Sequence, residues 1–291
     1  MNSGRPKVFL VNDTYLNNRH FGCEMVSATF REQFARVGLE LIGSASKHLD
    51  LAKFGGKLAA ADLVVVNGEG SLHHNRSRNL LELAGRYPAA LVNAVFEDNA
   101  AHAALLGAFR LIACRESLSG DYVRSLGHRC EVVPDVLFAS AFVRAYTPDP
   151  PSADLGLTDS VVWRKRRWGP LKTKRKYGFP AECSIVDYLR VFTSYRRLCV
   201  GRFHGVVLAA VLGIPFASWE SNTWKIRGLM RDMGVEGLHF GTQQEAIPHV
   251  PHELPESVRR FAAAAPERIE RMFDRLAALA GGGRVPAAAA G

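Results

Sequence analysis

Cysteine is scarce and scattered. The five residues Cys23, Cys114, Cys130, Cys183 and Cys199 contain no CxxC pair, which argues against a disulfide framework and supplies no zinc-finger spacing. No run of about 18 or more residues is apolar and uncharged, so no spanning helix is expected. The opening MNSGRPKVFLVND reaches a charged loop after one short apolar segment, unlike a secretory signal. The expectation is a cytoplasmic protein, peripheral at most to the inner face of the cell membrane. Catalytic signatures are missing too, among them a P-loop, HExxH, a GxSxG elbow, an EF-hand and the DxD pair that holds a metal-bound sugar nucleotide. Neither a metal nor an organic cofactor is expected.

What is present is ordinary globular material, 47% hydrophobic and 22% charged over 291 residues, long enough for about two domains at roughly 150 residues each. Thirty-seven Lys and Arg against 28 Asp and Glu leave a formal charge of +9, which favours an anionic partner: a phosphorylated metabolite, a lipid-linked anionic glycan, a membrane surface or nucleic acid.

Short Val/Ile/Leu-rich runs bounded by Gly, Asn, Asp or Ser read as buried strands over Lys7–Asn12, Glu40–Ala45, Asp62–Asn67, Ala89–Val95, Arg110–Arg115 and Arg129–Asp135. Helical stretches alternate with them, including CEMVSATFREQFARVG and NAAHAALLGAF. Such alternation predicts a doubly wound parallel sheet. The Pro-rich segment Thr147–Gly156 reads as a linker, dividing the chain into Rossmann-like domains over 1–147 and 148–291. In the second, strands are expected at Asp159–Trp163, Arg197–Arg202, Pro215–Glu220 and Val235–Phe240, and helices at Cys183–Ser194, His204–Leu212 and Thr223–Met233. One or two helices from Pro255 and a frayed GGGRVPAAAAG tail close the chain. The fold class is α/β, two Rossmann-like parallel-sheet domains facing a cleft, with ligands bound beyond the carboxyl ends of the strands.

The residues at those strand ends are the site candidates. After the third strand comes NGEGSLHH, where Gly68 and Gly70 let a backbone approach a ligand, Glu69 adds charge and Ser71 is placed to cap a following helix. His73 occupies the position where a dinucleotide fingerprint needs its third glycine, and a tight turn without a ligand is the competing reading. Arg202 and His204 open the helix after Arg197–Arg202; a guanidinium fork beside a helix N-terminus suits carboxylate or phosphate. His204 becomes a general acid if an acidic neighbour holds its proton, and Glu220 ends the next strand. The opposing reading pairs Arg202 with a structural carboxylate. Ser221, Asn222 and Lys225 repeat the anion-binding arrangement. Arg115 either meets the ligand or pairs with Asp135. Asp13, Asn17 and His20 lie in a polar loop long enough for a lid, or merely solvated. Trp163–Phe179 carries eight basic residues between Arg164 and Lys176, interleaved with aromatics, a surface for lipid phosphate, glycan or nucleic acid, or a solvated loop.

Three blocks in order, DLVVVNGEGSLHH, CRESLSGDYVRSLGHRCEVVPDVLF and VGRFHGVVLAAVLGIPFASWESNTWKIRGLM, resemble the polysaccharide pyruvyl transferase family over about residues 7 to 233. The third block is the most specific, since Arg202, Phe203 and His204 match the family's Arg, hydrophobic residue and His. The family's Asn-x-Gly-Asp loop stands here altered, as NNRHFGCEMV. The resemblance implies a GT-B-like fold and transfer of a pyruvyl group from phosphoenolpyruvate to a sugar of a surface polysaccharide, forming a ketal. It implies His204 as proton donor, Arg202 on carboxylate or phosphate, and Arg115 and Lys225 on the remaining charge. The donor side is then Gly68, Glu69, Gly70, Ser71, Arg115, Ser221, Asn222 and Lys225, and the acceptor side, a glycan or lipid-linked glycan, is Asp13, Asn17, His20, His73 and His74.

A nucleotide-sugar glycosyltransferase and a noncatalytic protein that docks glycan or nucleic acid through the basic run are the alternatives, with nucleic acid the least favoured partner. Replacing the basic residues of 164–176 is expected to weaken acceptor or membrane association, read by vesicle co-sedimentation, while donor-induced thermal stabilisation persists; loss of donor affinity places the run in the active site instead.

Overall fold

The computed structural model describes residues 4–18, 20–162 and 184–282. Its strands are β1 (Lys7–Val11), β2 (Glu40–Ala45), β3 (Leu63–Asn67), β4 (Leu72–His73), β5 (Ala89–Ala94), β6 (Phe96–Glu97), β7 (Leu111–Cys114), β8 (Glu131–Val132), β9 (Ala153–Ser160), β10 (Tyr195–Gly201), β11 (Phe216–Trp219) and β12 (His239–Phe240). The α-helices are α1 (Tyr15–Asn18), α2 (Phe21–Arg36), α3 (Leu51–Ala60), α4 (Arg78–Leu81), α5 (Ser117–Ser125), α6 (Ala141–Arg144), α7 (Ile185–Thr193), α8 (Phe203–Val211), α9 (Lys225–Asp232), α10 (Gln243–Ala246) and α11 (Glu256–Ala280).

Strands β3 and β5 are buried at every residue, as expected for strands covered by helices on both faces. They sit at the centre of a six-stranded sheet of order β2-β1-β3-β5-β7-β8, with Leu10 beside Val65 and Val65 beside Ala90. All its pairings are parallel. A second parallel sheet has the order β12-β11-β10-β9. The expected α/β architecture of two parallel sheets is therefore present, and among the described residues no helix is long and apolar enough to cross a membrane.

Several expectations shift. The segment read as a linker already contains the start of β9, which runs Ala153–Ser160 rather than Asp159–Trp163. Its inward positions are Gly156, Thr158 and Ser160, small or polar side chains that hide the alternation normally used to recognise a strand. The Ala-rich stretch before β7 forms a 3-10 helix, Ala100–Ala108, with only Leu106 buried. Strands β8 and β12 are two residues long, much shorter than expected. Ser71 caps no helix: it leads into β4, which pairs in parallel with β6.

One apolar cluster joins the sheets, running from Val8, Phe30 and Val65 through Phe138 to Leu198, Val206 and Phe273. The single closing helix α11 accommodates Pro266 because its buried stripe, from Val258 through Ala265, Ile269 and Phe273 to Leu276, continues on both sides of it. Phe273 meets Phe30 and Phe34 edge-on, with ring centroids 5.7 and 5.5 Å away. Helix α9 docks on α5 because Gly228 leaves room for the buried Glu116 carboxylate, where a Cβ would overlap it. Glu97 Oε2 accepts from the Trp224 N–H at 2.8 Å, Asp232 Oδ2 from the Ser117 N–H at 2.9 Å, and Trp224 Nε1 donates to Ser119 Oγ at 3.1 Å. These bonds place the start of α9, and with it Lys225, against the end of the first sheet.

Phe273→Ala leaves a cavity where α11 meets α2 and is expected to cost about 3–5 kcal/mol, seen as a lower urea midpoint at unchanged m-value.

Candidate functional site

The carboxyl ends of both sheets meet at a cavity of about 170 Å³ lined by His20, Cys23, Glu69, Gly70, Arg115, Val161, Arg202, Phe203, His204, Asn222 and Lys225. The turns after β3 and β7 supply Glu69, Gly70 and Arg115, while the start of α8 and the segment after β11 supply Arg202, His204, Asn222 and Lys225.

Local folding explains the placement. Gly68 abuts Ala94, whose Cβ lies 2.5 Å from where a Gly68 Cβ would stand, and Gly70 has φ +57°, so this turn needs glycine at both positions. Between them Glu69 is buried and anchored: its Oε2 accepts from Thr14 Oγ1 at 2.7 Å and Asn67 Nδ2 at 3.3 Å, and its Oε1 from Cys23 Sγ at 3.4 Å.

His204 sits in the first turn of α8, 8% exposed, where it packs against Gly22 so closely that no Cβ would fit there. Its Nε2 lies 3.3 Å from Glu69 Oε1 and 3.9 Å from Asp135 Oδ2. Neither contact is aligned as a hydrogen bond, and the buried nitrogen has no hydrogen-bond partner. Burial lowers its pKa, opposed by the two carboxylates and reinforced by Arg115 and Lys225.

The cations are held differently from one another. Arg115, 2% exposed, pairs with Asp135 at 2.9 Å and lies over the Phe203 ring at 3.8 Å, so the strand-end ion pair is real while the guanidinium still lines the cavity. Arg202 stands at the N-cap position of α8, without a side-chain capping bond, and is gripped bidentately by Asp159, Nε to Oδ1 at 3.1 Å and Nη2 to Oδ2 at 2.6 Å. This is the structural pairing weighed against a free anion-binding fork. Lys225, 8% exposed, donates to Asn222 Oδ1. Burial, then the charges of Arg115 and Arg202, lower its amine to about 7.

His20 caps α2, its Nδ1 accepting from the Gly22 N–H at 3.0 Å. Its ring stands 6.1 Å from that of His204. Cys23 is buried, its thiol pushed well above the ordinary range by desolvation and by Glu69. One ligating atom from each of His20, Cys23 and His204 lies within 4.8 Å of the others. Cys23 escaped the sequence reading because an isolated cysteine in an apolar helix carries no spacing signal.

Other candidates sit elsewhere. Glu220 is exposed and faces His239 Nε2 at 3.5 Å; the carboxylates at His204 are Glu69 and Asp135 instead. Ser71 Oγ donates to the Glu69 carbonyl at 3.1 Å and accepts from Asn12, bracing the turn from behind. Ser221 donates to Asn222 Oδ1 at 3.2 Å outside the cavity lining. Asp13 is buried against Arg31 at 2.9 Å. His73 is buried in β4, its pKa lowered to about 4 by burial and then by Lys225. The half-exposed His74 bridges Asp98 at 3.3 Å and the Asn222 carbonyl at 3.3 Å. The Asn17 side chain and the basic run 164–176 lie outside the described residues.

The sequence matches no protein-family model and no curated protein. Among solved structures, the chain is similar to UDP-GlcNAc 2-epimerase from Methanocaldococcus jannaschii, with 10% identity over 93% of this chain and 98% of that one and a TM-score of 0.53. It is also similar to a functionally uncharacterised protein from Klebsiella pneumoniae subsp. pneumoniae NTUH-K2044, with 13% identity over 79% of this chain and 88% of that one and a TM-score of 0.52. At such identities the likeness concerns the fold, which is GT-B-like.

Because the folded state holds Lys225 near pKa 7 against an ordinary 10.5, between those values the unfolded chain binds more protons and stability rises with pH. Lys225→Met removes this term. The unfolding free energy of wild type minus variant is expected to increase from pH 7 to pH 10, by at most ~1.4 kcal/mol per pH unit, in urea titrations at each pH.

Proposed function

We propose that this protein transfers a pyruvyl group from phosphoenolpyruvate to a sugar of a surface polysaccharide or its lipid-linked precursor. The observation that carries the reading is the buried, unpartnered Nε2 of His204, backed by Glu69 and Asp135 and facing a cavity that Arg115, Arg202 and Lys225 also line.

A cavity of about 170 Å³ is small beside the ~300–1,000 Å³ of drug-sized sites and suits a compact phosphorylated acid. Lys225 is the cation with no carboxylate partner among its hydrogen bonds; a bound anion restores its charge. The same anion raises the proton affinity of His204, which burial suppresses in the free protein. His204 then protonates the methylene carbon of the enol. A sugar hydroxyl adds to the resulting cation-like C2 as its proton returns to His204, the C2–O bond to phosphate breaks and phosphate departs to the Arg115 and Lys225 side, and a second hydroxyl closes the ketal as the departed phosphate takes its proton. Peripheral membrane attachment through the basic run 164–176 brings a lipid-linked acceptor to this cavity.

Because His204 is packed against α2 rather than standing in an open turn, truncation to Ala leaves a void, and His204→Gln is the cleaner test. It is expected to fold as wild type by circular dichroism and to lose about 10²–10⁴-fold in phosphate release from phosphoenolpyruvate; normal turnover removes His204 from the mechanism. Phosphoenolpyruvate is expected to raise the wild-type melting temperature and not that of Lys225→Met, whereas a shift with UDP, CMP or GDP alone assigns a glycosyltransferase.

A further inference from the structure

We propose that His20, Cys23, Glu69 and His204 form a tetrahedral site for a zinc-class divalent cation. This does not depend on the pyruvyl-transfer reading; because both claim the same His204 Nε2, the metal-bound form is expected to be unable to donate that proton, and the two states exclude one another. The four residues come from the N-cap of α2, its first turn, the turn after β3 and the first turn of α8, so no sequence spacing announces them.

With metal–ligand bonds of about 2.0–2.3 Å, the edges of a coordination tetrahedron are about 3.3–3.8 Å. Glu69 Oε1 already stands 3.3 Å from His204 Nε2 and 3.4 Å from Cys23 Sγ. The His20, Cys23 and His204 atoms lie within 4.8 Å of one another, so among these three coordination asks for a contraction of about an ångström or less; Glu69 Oε1 is not within that distance of all three and must swing towards His20 to complete the set. The set combines imidazole, thiolate and carboxylate, the donors that zinc takes.

Two further features point to a cation. The buried His204 Nε2 has no hydrogen-bond partner and is turned towards the carboxylates of Glu69 and Asp135, an arrangement that leaves a polar atom unsatisfied unless something fills the centre. The charges also balance: a Cys23 thiolate and the Glu69 carboxylate neutralise a dication, and coordination deprotonates a thiol outright. The neighbouring guanidiniums of Arg115 and Arg202 are neutralised by Asp135 and Asp159, which leaves Lys225 as the lining cation without a carboxylate partner. Outer partners are in place, with Thr14 and Asn67 holding the other Glu69 oxygen. Ligation through His20 Nε2 moves its proton to Nδ1, so the Gly22 N–H gives up that acceptor, one cap hydrogen bond exchanged for a coordination bond.

The test is titration of the full chain with Zn²⁺ against a chromophoric chelator, and with Co²⁺ followed by absorption. One Zn²⁺ per chain is expected, together with a thiolate-to-cobalt charge-transfer band and the visible bands of tetrahedral Co²⁺. Cys23→Ser, checked for folding by circular dichroism without metal, is expected to abolish the charge-transfer band and weaken Zn²⁺ by more than about 100-fold, beyond the 10–100-fold of outer-sphere changes; Cys199→Ser leaves both unchanged. Absence of stoichiometric Zn²⁺ binding, or a wild-type Co²⁺ spectrum without the thiolate band, overturns the proposal whatever the fate of the variants. All readouts are independent of turnover, so failure of pyruvyl transfer leaves this result standing and the reverse also holds.

Discussion

The Arg115 guanidinium is the clasp on which the site depends. It leaves the end of β7, pairs with Asp135 beyond β8, and lies flat over Phe203 at the start of α8. One buried charge thereby ties two strand ends of the first sheet to the helix of the second half that carries His204. Such a pair contributes little net stability compared with apolar packing of the same volume, yet removing one partner strands a buried charge at a cost of about 3–5 kcal/mol. Its value here is positional, since Asp135 also faces His204 at 3.9 Å.

Around that clasp the charges are unevenly satisfied. Arg202 is paired bidentately with Asp159, whereas Lys225 is buried beside two guanidiniums and answered by an amide oxygen. A buried amine pushed towards neutrality is tolerated because α9 is anchored independently, through Trp224, Gly228 and Asp232. Stability held in those packing and hydrogen-bond contacts offsets strain concentrated at Lys225 and His204, the pattern expected where a site is organised for a ligand and not for the free protein.

His204 illustrates how environment selects chemistry. In the two proposals the same unpartnered nitrogen offers either a proton to an anionic donor or a lone pair to a cation, and not both at once. Glu69 stands beside it in both. Held from behind by Thr14 and Asn67, it orients the imidazole in either case, and its second oxygen reaches Cys23.

The alternation of Val-rich runs with helical segments was enough to specify two parallel sheets, because strands covered on both faces must be apolar throughout, as β3 and β5 are. That strand ends carry the polar residues followed from the same topology, so Glu69, Arg115, Arg202, His204 and Lys225 were legible one by one along the chain. Of their partners only Asp135, for Arg115, was. Asp159 lay inside a strand whose inward residues are small and polar, and Cys23 looked like any core cysteine. Glu220 seemed the natural neighbour of His204 by order along the chain, yet its carboxylate meets His239 instead. Local sequence encodes which residues are buried and where strands stop, since those are properties of a few adjacent side chains. Which carboxylate neutralises which cation depends on how two sheets and α11 pack across the shared core, a long-range outcome that no short segment contains.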